Sequence, residues 1–214
     1  MNPIPEILYR GDSDPHNKRL LKATIDQCQL QTNLISGGIG KEIIKYPIIE
    51  LANKHVAVGW RDTHFLSFTS NLDTAMRFGI NCSEDEFPSK KIFFVEVDDE
   101  NRDWSFVIVE LDTRRLNFQV LLDGVYDVTF TPQLFIFSKD FDKYRCILID
   151  VKTYLSSLKA DKDYNEAIEN ATRDQEWLLL PITPQLLNFN QIEFSAILDG
   201  GCISAVTKYK KEGA

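Results

Sequence analysis

The chain has 214 residues, 43% of them apolar and 26% charged, which is enough for one well-buried core with an ordinary globular balance. Its formal net charge of −8 repels a phosphate backbone, so generic nucleic-acid binding would need a local basic patch. The apolar runs "IFFVEV" and "WLLLPI" are far too short for a membrane span, and "MNPIPEILYR" has neither the basic start nor the apolar stretch of a signal peptide, so the reading is a single domain over residues 1–214, made in the cytoplasm.

In chain order, "EILYR" reads as a strand that ends at Arg10, with Gly11 opening a turn rich in Asp, Ser and Pro. An arginine there can offer a planar fork to a phosphate or ribose, while the glycine lets backbone approach a ligand. The plainer alternative is a surface arginine paired with Asp12 or Asp14. Asn17 to Gln31 carries Leu20, Leu21, Ile25 and Cys28 at helical spacing. "SGGIG" breaks the chain and lacks the upstream strand and the Lys-Ser/Thr ending of a phosphate loop. Lys41 to Lys54 predicts a second helix, bent or restarted at Pro47.

"HFLSFTSNLDTAMRFG", His64 to Gly79, ends a strand on a cluster of small hydroxyls. Ser67 and Thr69 share one face by period two, and Leu72, Ala75, Met76 and Phe78 predict a short helix capped by Ser70 or Asn71 and stopped at Gly79. From Lys90 to Asp150 the signals are β: "KIFFVEV", "SFVIVEL", "LNFQVLL", "YDVTF", "LFIFS" and "CILIDV", with a turn at Asp123-Gly124. Lys152 to Asp174 reads as helical. "EWLLLP" and "CISAV" close the chain as strands, and the tail "KYKK", Lys208 to Lys211, reads as a solvated terminus. Helices early and strands late predict an α+β fold with antiparallel sheets. The cysteines, Cys28, Cys82, Cys146 and Cys202, show no C-x-x-C pair and no histidine at ligand spacing, so neither a metal nor a disulfide framework is expected.

In "RDQEWLLLPITPQ" a polar stretch passes into a strand at Glu176. A carboxylate at the mouth of a buried strand is either a solvent-facing residue or a positioned anion. Three stretches, "LYRGDSDP", "FLSFTSNLDTA" and "DQEWLLLPITP", resemble in order the arginine, serine and glutamate motifs of the mono-ADP-ribosyltransferases, the class that includes cholera and pertussis toxins. "YRGDS" repeats the tyrosine-arginine and aspartate-serine turn of the toxin group. Ser67, Thr69 and Ala75 repeat its serine-x-hydroxyl with a following alanine, and Glu176 and Pro184 its glutamate with a following strand and proline. Together the motifs span about forty residues.

The resemblance implies two packed, mainly antiparallel sheets with flanking helices and an NAD cleft between them. NAD would be a substrate, and no metal is implied. It assigns Glu176 to the oxocarbenium-like cation formed when nicotinamide leaves the ribose. Arg10 would hold the phosphates or the adjacent ribose, Gly11 the nicotinamide carboxamide through its backbone, and Ser67 the arginine or the glutamate. Thr69 would support the strand end, and Phe78 is a candidate to stack on nicotinamide, a core position being its alternative. Two residues before Glu176, where relatives that modify arginine carry a second glutamate, stands Asp174: a general base of shorter reach. An alternative carboxylate is Glu193, with Gln191 two residues before it; it would favour an asparagine or nucleobase acceptor.

The expected function is therefore transfer of ADP-ribose to a macromolecule, as a toxin or effector delivered into another cell or held in check by an antitoxin or immunity protein. An NAD glycohydrolase and a non-enzymatic module that retains the fold are the alternatives. Charge favours a protein acceptor. A nucleic acid would require a local basic cleft from residues such as Lys18, Arg19, Arg77 and Lys208 to Lys211.

Overall fold

The computed structural model of the protein describes residues 3–13, 20–22, 29–34, 48–58, 65–98, 103–129, 135–136, 145–158, 164–182, 194–198 and 203–213. These form an α+β structure with two sheets. The larger contains β1 (Ile7–Asp12), β4 (Leu66–Thr69), β5 (Phe94–Val97), β6 (Phe106–Asp112), β7 (Asn117–Leu122), β8 (Val125–Thr129), β10 (Arg145–Asp150), β11 (Glu176–Ile182) and β13 (Ile203–Lys211). Their spatial order is β5-β13-β6-β1-β4-β11-β10-β8-β7. The smaller sheet has β2 (Leu20–Lys22), β3 (Gln29–Leu34), β9 (Phe135–Ile136) and β12 (Phe194–Leu198), ordered β2-β3-β12-β9. Every pairing is antiparallel. The described helices are α1 (Ile48–Ala57), α2 (Leu72–Ile80), α3 (Phe87–Lys91), α4 (Val151–Ser157) and α5 (Asn165–Asp174).

Burial on both faces explains why β6 opens on the continuous apolar run Phe106–Val109. Val107, Val109 and Leu111 join the main core with Leu8, Leu51, Phe68 and Leu178, while Phe106 and Ile108 pack with Ala75 and Met76 of α2. Gly11 lies inside β1, opposite Ile108, because the strand continues through Asp12 where the sequence suggested a turn. α2 crosses it so closely that a Cβ on Gly11 would sit 1.9 Å from the Ala75 carbonyl oxygen.

Asn71 caps α2, its side chain accepting from the Asp73 and Thr74 amides, but the stop is Asn81 in the left-handed conformation (φ 58°) and not Gly79. Gly79 is inside the helix, where any side chain would meet the Phe106 ring. The β7–β8 hairpin turns at Asp123-Gly124 as expected, Gly124 adopting φ 77°.

Other elements depart from the local signals. Leu20–Lys22 and Gln29–Leu34 are strands where helical spacing predicted one helix: "QLQTNL" pairs over its length with Phe194–Leu198, a distant partner that overrides local periodicity. The described part of the second helix is Ile48–Ala57, which continues past the expected end at Lys54; Lys41 to Pro47 lie outside the described residues. The start of "KIFFVEV" belongs to the end of α3 and a turn. The helical stretch near residue 160 divides into α4, capped by the Asp150 side chain on the Thr153 amide, and α5. "KYKK" is not a loose tail: it completes β13 between β5 and β6, with Lys208 buried. Among the described residues no helix is long and apolar enough to cross a membrane.

Candidate functional site

Three strands that are neighbours in space bring together residues far apart in the chain. β4 lies between β1 and β11, with Thr69 opposite both Tyr9 and Glu176, and Ser67 opposite Leu178. Arg10, Ser67 and Glu176 therefore lie on three adjacent strands in the middle of the larger sheet. The Arg10 guanidinium donates through Nη1 to the Ser67 carbonyl at 3.0 Å and through Nη2 to Asp12 at 3.2 Å. Its Nε is buried without a hydrogen-bond partner among the described residues. Arg10 pairs with Asp12, as the plainer alternative proposed, but it is buried and not on the surface.

Ser67 links two further groups. Its hydroxyl hydrogen-bonds the Glu176 carboxyl and lies 2.7 Å from Nε2 of His55 on α1. That nitrogen stands 3.9 Å from Glu176 Oε1, and the imidazole meets Phe65 edge to face. A single chain of donors, from Nε2–H to the serine oxygen and from the serine hydroxyl to the carboxylate, satisfies this arrangement. Because Ser67 and Glu176 share the same imidazole nitrogen, this is not the relay of a serine hydrolase, in which the acid orients the opposite nitrogen.

Glu176 is largely buried. Burial pushes its carboxyl up from 4.5 to about 7; the Ser67 hydrogen bond opposes the rise, the Asp174 charge adds to it and Arg173 opposes it. A carboxyl poised near neutrality in a half-closed site is the condition in which acid–base or electrostatic chemistry is found. Glu176 also forms part of the wall of a surface groove of about 220 Å³ shared with Ser70, Asp150, Thr172, Gln175 and Trp177.

The remaining hydroxyls of the corner grip the residues that lead into Glu176. Thr69 Oγ1 donates to the Asp174 carbonyl at 2.6 Å, and Ser70 Oγ donates to the Gln175 side chain at 2.7 Å. The Asp174 carboxylate is buried and accepts from Arg173 at 2.9 and 2.8 Å and from Arg77 on α2.

Gly11 is accounted for by the approach of α2. Phe78 is 52% exposed on α2, so the core alternative does not hold; the Arg77 guanidinium lies 4.8 Å from its ring centre. Glu193 and Gln191 lie outside the described residues, as do Lys18 and Arg19. Arg77 is committed to Asp174 and Lys208 is buried, so neither contributes to an open basic cleft. No group of His, Cys, Asp and Glu placed to hold a metal occurs among the described residues.

Sequence reasoning missed His55. A lone histidine in "NKHVAV" has no spacing partner, and only the packing of α1 onto β4 reveals it. No protein-family model matches the chain, and neither a curated protein nor a solved structure matches it.

Proposed function

We propose that the protein is an NAD-dependent mono-ADP-ribosyltransferase that transfers ADP-ribose to a macromolecule, acting as a toxin or effector. The observation that supports this reading is the placement of Arg10, Ser67 and Glu176 on three adjacent strands, with the Ser67 hydroxyl hydrogen-bonded to Glu176 and its backbone carbonyl accepting from Arg10. These are the three side chains that the resemblance singles out, and nothing in their sequence separation requires them to be neighbours.

In the proposed reaction the bond between nicotinamide and ribose C1 breaks, and its electron pair leaves with the nicotinamide as a neutral ring. The acceptor's lone pair forms the new bond to C1, and the acceptor proton passes to a base and then to water. Positive charge on the ribose peaks between these events. An ionised Glu176 beside it is favoured most at that moment, which lowers the barrier and does not merely tighten binding. The approaching positive charge also favours the ionised form of a carboxyl that burial has lifted to about 7. His55, through Ser67, fixes the orientation of that carboxyl. The Arg10 guanidinium, held by the Ser67 carbonyl and Asp12 through one N–H of each Nη, suits a phosphate or ribose oxygen through its remaining N–H groups.

The test offers labelled NAD and whole lysate to the wild type and to Glu176→Gln, with nuclease and protease arms. Label transfer and nicotinamide release are expected from the wild type, and Glu176→Gln should lower both by a factor of roughly a hundred or more. Protease-sensitive label identifies a protein acceptor. Nuclease-sensitive label that falls steeply with salt identifies a nucleic acid. Nicotinamide release without transfer would make the protein a glycohydrolase, and neither would leave a non-enzymatic module.

A further inference from the structure

We propose that Asp174 and Arg77 are positioning residues that set Glu176 from behind, so that the carboxylate two residues before Glu176 does not face the acceptor. The inference rests on the reading of Glu176 given above. Asp174 is the last residue of α5 and is buried. Its Oδ1 accepts from Arg77 Nη2 and from Arg173 Nε, and its Oδ2 from the second nitrogen of the Arg173 fork. Three of the roughly four lone-pair sites that a general base would turn toward an incoming nucleophile are thus occupied by two guanidiniums.

What the cluster does instead follows from its anchors. Arg77 projects from the last turn of α2 and ties that helix to the end of α5. Immediately afterwards the chain takes a left-handed conformation at Gln175 (φ 47°, ψ 49°), uncommon for a residue with a side chain, and enters β11 at Glu176. The hydroxyl corner clamps the same turn: Thr69 holds the Asp174 carbonyl, the Ser70 amide donates to the Gln175 carbonyl at 3.3 Å and the Ser70 hydroxyl to its side chain. Ser67, Ser70 and Thr69 therefore each fix one of the residues 176, 175 and 174, and the ion cluster closes the clamp from the side of α2. Its consequence for specificity is that the acceptor is chosen without help from Asp174.

The test compares full-length wild type, Asp174→Asn, Arg77→Met, Arg77→Lys and the Asp174→Asn/Arg77→Met double variant in two assays. One is nicotinamide release with water as acceptor, and the other is label transfer to lysate. Positioning predicts that Asp174→Asn and Arg77→Met lower kcat in both assays by the same factor, about ten to a hundred, with KM for NAD unchanged. The double variant should lose little more than either single one, and Arg77→Lys should recover part of the loss. Loss of transfer with retained nicotinamide release in Asp174→Asn would overturn the proposal, because that is the signature of an acceptor-facing base. Wild-type rates in both assays would overturn it too. If Asp174→Asn does not fold, Arg77→Lys and Arg77→Met carry the same comparison of ratios. Absence of nicotinamide release and of label transfer from the wild type overturns the reading of Glu176 and this assignment with it. An active wild type with an inactive Glu176→Gln and a normal Asp174→Asn overturns only the assignment made here.

Discussion

Replacing Glu176 by Gln should make the protein more stable, and by an amount that grows with pH. The carboxyl is raised in the folded chain from 4.5 to about 7, mainly because burial disfavours its charged form. Between those two values the native state holds a proton that the unfolded chain has already released. Native stability therefore falls as pH rises through this window, the reverse of the usual behaviour of a paired carboxylate. The full displacement corresponds to about 3 kcal/mol by the time the pH has reached about 8. Glutamine keeps the shape and still accepts from Ser67, but has no charge to desolvate.

Below about pH 4.5 wild type and variant should melt together, since both carry a neutral group at this position. Near pH 8 the variant should melt higher by roughly 6–12 °C for a chain of this length. Thermal unfolding followed by circular dichroism, repeated across that pH range, reads the difference directly and needs neither NAD nor an acceptor. A difference in melting temperature that stays flat with pH, or a variant less stable than wild type near pH 8, would refute the reasoning. A site that sacrifices stability at working pH is what stored electrostatic cost for function looks like.

Two other substitutions separate structure from binding. Gly11→Ala drives a methyl into the Ala75 carbonyl of α2, a backbone atom that can yield only if the helix shifts; a loss of about 3 kcal/mol is expected from overpacking, and an unchanged urea midpoint would count against it. Arg10→Ala should weaken NAD binding by roughly tenfold to a hundredfold, as for loss of a charged hydrogen bond, when titrated calorimetrically in a Glu176→Gln background that prevents turnover. Equal affinity with and without Arg10 would remove the arginine from the substrate site.

What could be read from residues alone follows the range over which each signal acts. The helix after Asn71 and the hairpin at Asp123-Gly124 are fixed by neighbours within a few positions, through a cap and a glycine, and they appear where the pattern places them. The strand at Gln29–Leu34 is fixed by Phe194–Leu198, well over a hundred residues away, and its local spacing pointed to a helix. Gly11 carries the same lesson in reverse. A glycine beside an arginine reads as room for a ligand, yet its missing side chain is room for α2, and only the three-dimensional neighbour distinguishes the two. Arg10, Ser67 and Glu176 could be selected by motif but not joined. The joining is the work of β4, whose alternating strand slots between β1 and β11 and whose polar end is buried against the residues that lead into Glu176.

The hydroxyls of that end answer to residues 174 to 176, more than a hundred positions later, and to His55, which no spacing rule would have recovered. A serine-rich strand end looks like helix-capping chemistry when only its own helix is in view. Asn71 does that capping, and this frees Ser67, Thr69 and Ser70 to hold the approach to Glu176 in place. The division of labour makes the corner separable by mutation. Loss of the Asn71 side chain acts on α2 alone, whereas loss of the Ser67 hydroxyl acts on the carboxyl that burial has brought near neutrality.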